Sequence, residues 1–340
     1  MTGTPVRFVV GTGRCGSTAL SRVLNLHPEV LSVNELLSSL APGTFPDGEL
    51  TGAGFWKLLA EPNPIIDAML RDGTPVPELL YRRGRFAPGA GVPVISAMVL
   101  PHLTDDPDGL FDELADVVPS WPSRPISAHY EGLFAWLCDR FGRRVAIERS
   151  GFSLQWITTL VERFPAAKLV HMVRDGPDCA LSMSRHPGFR LVVLENRIKE
   201  LTGVATMPEL TAADIASLPP GLAKVPSASF DPAVLAQPLP LAEFGDLWSR
   251  LVTDGVRDLA PVPAPNRLTL SFEDLIGDPR TELTRFAGFA GVDPIGSWLD
   301  AGRALLDRGR LGGARSLPPD ELAELRERCA PGARALEESL

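Results

Sequence analysis

The period of apolar residues changes several times along this chain, and each change marks an element. Residues 8–10, Phe-Val-Val, form a β-branched apolar run that stops at glycines. From Ala19 on, Leu20, Val23 and Leu24 recur at helical spacing, so the stretch reads strand, tight loop, helix. His27-Pro28 ends that helix, and residues 30–33 predict a second short strand with Glu35 at its end. Regular order returns with a helix over 129–141, carrying Leu133, Trp136, Leu137 and Phe141 on one side. Residues 143–150 predict a short buried strand ending in charge, followed by a helix over 154–164. A strand over 168–173 ends in Arg174-Asp175-Gly176-Pro177, and a helix from about Asp178 carries Ser182. Later come an amphipathic helix over 239–259, a late strand from 268, and helices over 281–290 and 318–329. Strands alternating with helices imply parallel βαβ units.

Two stretches lack a clear period. Residues 36–125 are rich in Pro and Gly, with short helical patches at 55–59 and 110–118. Residues 188–242 are punctuated by Leu218-Pro219-Pro220-Gly221 and Gln237-Pro238-Leu239-Pro240. Both read as insertions in a single domain spanning 1–340, of the kind that forms a binding pocket and a lid.

Composition narrows the class. With 340 residues and 44% hydrophobic content the chain can bury a full core. No apolar run approaches the ~20 residues of a membrane span, and no basic-then-apolar leader opens the sequence. Four dispersed cysteines, Cys15, Cys138, Cys179 and Cys329, show no metal-ligand pairing and fit a reducing compartment, so the expectation is a cytoplasmic enzyme. A net charge of −9 argues against a broad nucleic-acid surface, while leaving room for a local basic cleft.

The chemistry concentrates in Gly11-Thr12-Gly13-Arg14-Cys15-Gly16-Ser17-Thr18. Glycines let backbone approach a ligand, and N–H groups at a helix start favour phosphate or sulfate. The spacing nearly fits the nucleoside-triphosphate loop, except that Ser17 stands where the lysine belongs and Arg14 supplies the cation. In an open α/β sheet, ligands sit beyond the carboxyl ends of the strands. Arg14, Arg149 and Arg174 all follow strands, and Glu35 can face the same cleft. This points to an anion with more than one phosphate.

On these residues the chain resembles the sulfotransferases that use 3′-phosphoadenosine 5′-phosphosulfate (PAPS), with PAP as product. Arg14-Cys15-Gly16-Ser17-Thr18 is similar to their donor-sulfate loop, and Met172-Val173-Arg174-Asp175-Gly176 with Ser182 is similar to their 3′-phosphate motif. The His-Pro-Glu-Val run, the glutamate 21 residues after Arg14, and the Phe-Pro-x-Ala-Lys approach to the second motif resemble the tyrosylprotein and related bacterial branch. Residues 268–275 followed by Asp278-Pro279 match the late strand and turn. The likeness covers about residues 6–35, 145–185 and 267–295. Cys15 stands for the usual serine, Arg149 for a lysine, and Ser271-Phe272 for aromatic residues.

The resemblance implies a P-loop NTPase-like three-layer α/β fold, a central parallel sheet flanked by helices, plus helical insertions. It also implies Glu35 as catalytic base and Arg149 as the cation assisting the leaving group. Backbone N–H groups of Gly13 to Thr18, including Cys15 and Gly16, would hold the phosphosulfate, with Ser17 and Thr18 hydroxyls added. Arg174 and Ser182 would bind the 3′-phosphate, joined by Arg185. The loop cations Arg308, Arg310 and Arg315 either close over that phosphate or stay solvated. His171 is expected in the core, His27 packing or capping the first helix, and His186 near the nucleotide. No metal is required where arginines supply the charge. The acceptor is expected to be a hydroxyl or an amine of a small molecule, lipid or glycan, with oligomeric state open. Two rival readings are a P-loop kinase using Asp175 or Glu148 for Mg²⁺ and a non-catalytic nucleotide-binding protein.

Overall fold

A computed structural model of the chain describes residues 6–81, 84–226 and 232–339. Five parallel strands form its sheet: β1 (Arg7–Gly11), β2 (Val30–Asn34), β3 (Val145–Arg149), β4 (Lys168–Val173) and β5 (Arg267–Ser271). Their order across the sheet is β2-β3-β1-β4-β5. All residues of β1 and β2 are buried, which is why apolar residues follow one another at 8–10 and 30–31 where a half-exposed strand would alternate.

Helices cover both faces. In chain order they include α1 (Ser17–Leu24), α2 (Ile126–Phe141), α3 (Ile157–Arg163), α4 (Gly176–Ser184), α5 (Pro187–Thr202), α6 (Leu241–Leu259), α7 (Pro279–Ala290), α8 (Gly296–Leu305) and α9 (Pro319–Ser339). Phe8, Val10, Leu31 and Val33 pack with Leu133, Leu137 and Leu160 in one apolar cluster. Val9, Val170 and Leu270 pack with Leu20, Leu24, Leu283 and Phe286 in another. The result is the layered arrangement of a central parallel sheet between helices.

Register sets the site. Val9 lies opposite Arg149, Asn34 opposite Arg149, and Val173 opposite Ser271. Because every strand runs the same way, the residues following β1, β2, β3 and β4 emerge along one edge. Residues 36–125 add the short helices Gly52–Ala60, Pro64–Arg71 and Pro107–Val117 and a two-stranded antiparallel pair, Glu49–Leu50 with Arg124–Pro125.

Three elements differ from the sequence expectation. The supposedly aperiodic stretch after residue 187 opens with the 16-residue α5. Its apolar residues are divided between two clusters, Leu191, Leu194 and Ile198 in one and Phe189 and Val193 in the other, so no single stripe marks it. The helix expected over 154–164 begins as a 3-10 turn, Ser153–Trp156. The last helix runs to Ser339 through Pro331 rather than ending at residue 329. Past that proline, the Gly332 N–H donates to Ser249 Oγ at 2.8 Å, an external partner on α6.

The loop after β1 is held by close packing. Gly16 has φ +92°, and a Cβ there would fall 2.1 Å from the Phe272 ring. Gly16→Ala is therefore expected to destabilise the protein by about 1–3 kcal/mol, read as a lowered urea midpoint. A nearby alanine control at Ser38, which carries no such strain, should move it less.

Candidate active site

The loop from Thr12 to Gly16 is built from left-handed backbone. Gly13, Arg14 and Gly16 have φ of 74°, 58° and 92°. Arginine in that region is uncommon and strained, so its conformation is enforced by surroundings. A Cβ on Gly13 would lie 2.5 Å from the Phe189 ring, which shows how closely α5 presses on the loop. With glycine at its N-cap, α1 has no side-chain cap, and its first turn points into the cleft.

Beyond the loop lies a cavity of about 210 Å³. Gly13, Arg14, Ser17 and Thr18 line it together with Glu35, Arg149 and Gly151. The remaining wall is largely apolar: Val76 and Met98 from the first insertion, Phe152 after β3, and Phe189 and Val192 of α5. Ser38, Glu78, His186 and Gly188 complete it.

Glu35 sits just past β2 with φ 58°. Its N–H donates to the Arg149 carbonyl at 2.8 Å, which ties the ends of β2 and β3 together. Its carboxylate accepts from Arg149 Nη1 and from the Gly151 N–H at 2.8 Å. Arg149 Nε donates to Asn34 Oδ1 at 3.3 Å. The two side chains are 5% and 2% exposed, a buried ion pair whose geometry both residues share. Arg149 Nη2 is buried with no hydrogen-bond partner, and Arg149 lines the cavity. A buried guanidinium nitrogen without a partner keeps a hydrogen-bond donor that an anion in the adjoining space could use.

Arg14 Nε donates to Ser182 Oγ at 3.2 Å and Nη1 to Glu78 Oε1 at 3.2 Å. Arg174 lies under the same loop: Nη1 donates to the Arg14 carbonyl at 3.1 Å, and the guanidinium stacks 5.1 Å from the Phe272 ring centre. Arg174 Nε is buried without a partner. Ser182 and Arg174 thus both reach Arg14, one on its side chain and one on its backbone. Arg185 is exposed and does not line the cavity.

The C-terminal loop meets this motif through its backbone. Arg174 Nη2 donates to the Arg310 carbonyl at 2.7 Å, and Asp178 accepts from Gly312 and Ala314 N–H groups at 2.6 and 2.8 Å. The Arg310 side chain is 72% exposed beside Asp307, and Arg315 lines a second cavity with Asp175, Asp178, Glu273 and Arg326. The Arg308 side chain lies outside the described residues.

Other candidates have structural explanations. Cys15 and Cys179 are buried, and burial pushes both thiols up, away from the thiolate. His27 packs edge-on against Trp298 at 4.9 Å, and His171 is buried in β4. Asp175 caps α4 by accepting from the Asp178 N–H. His186, expected near the nucleotide, lines the cavity; Asn34, Glu78 and Asp178 also contribute, yet none of these three stood out in the sequence. Only Asn34 and Asp178 carried a signal, each being a short polar residue next to a strand or helix end.

No family model and no curated protein sequence matches the chain. Along nearly its whole length the chain is similar to solved sulfotransferases. The sulfotransferase domain of the Synechococcus PCC 7002 olefin synthase is 19% identical over 96% of this chain and 95% of that one, with a TM-score of 0.43. A sulfotransferase from Alicyclobacillus acidocaldarius is 18% identical over 98% and 94%, with a TM-score of 0.46. The sulfotransferase domain of the curacin biosynthetic pathway is 14% identical over 96% and 97%, with a TM-score of 0.47.

Beside the ion pair, burial raises the Glu148 carboxyl to about 8, against hydrogen bonds from Ser150 Oγ at 2.6 Å and the Leu37 N–H at 3.3 Å. A carboxyl raised in the fold from 4.5 stabilises the protein below its unfolded value and loses that contribution as pH rises towards 8. Glu148→Gln should remove this contribution: between about pH 5 and about pH 8, the urea midpoint of the wild type should fall relative to that of the variant.

Proposed function

We propose that the chain is a PAPS-dependent sulfotransferase that moves a sulfuryl group to a hydroxyl of a small-molecule acceptor. The observation that carries this reading is the convergence on one cavity of the loop residues Arg14, Ser17 and Thr18, the carboxylate Glu35, and Arg149 with its unpartnered nitrogen. The likeness of the two phosphate motifs to the PAPS-dependent family supplies the donor's identity.

The residues present fit such a donor. A cradle of left-handed glycines, an uncapped helix start and two arginines with buried, unpaired nitrogens suit a ligand carrying several negative oxygens. Gly13, Arg14, Cys15, Gly16, Ser17 and Thr18 would hold the phosphosulfate end. Arg174 and Ser182 would take the 3′-phosphate, with Ser182 exchanging its present bond to Arg14; Arg185 would join only by turning inward from the surface.

The donor supplies an activated sulfuryl group on a phosphate leaving group. Transfer forms an S–O bond to the acceptor and breaks the S–O bond to that phosphate, so the protein's task is positioning and charge stabilisation. Arg14 and Arg149 neutralise the negative charge that develops on the departing oxygen. Glu35 takes the acceptor's proton. Its two oxygens are already fixed by Arg149 and the Gly151 N–H, leaving a lone pair on each to face the cavity. The apolar wall of Val76, Met98, Phe152, Phe189 and Val192 favours an acceptor with an apolar body, and both insertions contribute to it.

Calorimetry tests the donor. PAP should bind tightly without metal, and Mg-ATP weakly or not at all; the reverse preference would replace this reading with a kinase. Glu35→Gln should retain PAP binding and lose roughly 10²–10³-fold in transfer of radiolabelled sulfate to an acceptor panel. Arg14→Ala should lose transfer to a similar degree while remaining folded. Unchanged turnover in Glu35→Gln removes that residue from the role of base.

A further inference from the structure

Glu78 is a charged group in the cavity for which the proposed transfer has no direct use. It belongs to the first insertion, outside every motif, and its side chain is only 11% exposed. Oε1 accepts from Arg14 Nη1 at 3.2 Å, and Oε2 lies 3.1 Å from His186 Nε2. The His186 tautomer follows from its other nitrogen. Nδ1 accepts from the Gly188 N–H at 3.2 Å, so Nε2 carries the proton and donates to Glu78. A continuous chain of hydrogen bonds therefore runs from the start of α5 through His186 and Glu78 to Arg14, and on to Ser182.

This brace is anchored. Val76 and Leu79 on either side of Glu78 are buried with Leu191 and Leu194 of α5, so the carboxylate cannot withdraw without unpacking that cluster. Of the five N–H donors of the Arg14 guanidinium, Nε–H and one Nη1–H are committed, and the rest are available to a ligand. The group is thereby fixed in position and plane. Burial alone would raise the Glu78 carboxyl, but the His186 hydrogen bond and the positive charge of Arg14 act against it and hold it well below the usual carboxylate range. Glu78 is thus a full negative charge beside a site for negative oxygens. In a partly buried cleft that repulsion is only weakly screened. A site selected for affinity alone would carry a neutral residue here.

We propose that Glu78 is a positioning residue for Arg14, holding the guanidinium in its transfer geometry while weakening the binding of donor and nucleotide product alike. The proposal rests on the reading that an anionic donor occupies this cavity. Weaker product binding speeds release, and a fixed cation needs no rearrangement as charge develops.

Affinity and turnover should then move in opposite directions. PAP and inorganic pyrophosphate are titrated by calorimetry into wild type, Glu78→Gln and Glu78→Asp. Turnover is read as release of radiolabelled sulfate from saturating PAPS to water. Glu78→Gln keeps the shape and loses the charge: PAP should bind about tenfold more tightly while turnover falls about tenfold. Glu78→Asp keeps the charge and loses the reach, so turnover should fall with no gain in affinity. A merely structural role would weaken binding and turnover together and lower the melting temperature, which overturns the proposal. Tighter binding with unchanged turnover overturns it equally, since Glu78 would then be a repulsive charge and nothing more. If wild type binds pyrophosphate but not PAP, the adenosine-donor reading fails, and the pyrophosphate titrations still test the repulsion: no gain in affinity in Glu78→Gln overturns the proposal.

Discussion

Two opposite charges, Arg149 and Glu35, are withdrawn from water at the ends of adjacent strands, and the cleft is arranged around them. Removing both from solvent is expensive, and attraction alone seldom compensates. The surroundings supply the difference. Asn34 accepts from Arg149, and the Gly151 N–H donates to Glu35, while Asn34 itself is held by Ser21 Oγ at 2.6 Å. That network works only in one register, with Asn34 opposite Arg149. A slip of one residue between the two strands would put the two charges on opposite faces of the sheet. Register, ion pair and cavity are one constraint seen at three scales.

The chain as a whole is acidic, at −9, yet three arginines converge where the strands end. Local arrangement overrides net charge because neighbouring charges act over a few ångströms in a low dielectric, whereas distant surface carboxylates are screened. Phe272 has a double part in this. Its ring fills the space left by Gly16 and lies under the Arg174 guanidinium, so the loop after β1 and the motif after β4 rest on one side chain from the end of β5.

Much of this was legible in advance, for identifiable reasons. A fully buried parallel strand is a continuous apolar run, so β1 and β4 announced themselves, and the residues after them fell at the ligand edge by the geometry of parallel sheets. The glycines of the loop were legible because only a special backbone needs them. Glu35 stood out by its place after a strand. Glu78 did not, because it sits in a segment without periodicity and acts through contacts to residues 14 and 186 that nothing local encodes. α5 was hidden by being buried on more than one side. The C-terminal loop was misleading: its arginines drew notice, but its backbone N–H groups at Gly312 and Ala314 make the contacts to Asp178.

The strand order also governs how the molecule is made. β1 and β2 are close in the chain but not neighbours in the sheet, since β3 lies between them. Until residues 145–149 leave the ribosome, neither early strand has a partner on that side, and every residue of both is one the fold buries. Assembly must wait for contacts closed across more than a hundred residues, which makes collapse of the nascent N-terminal third a race against misassociation.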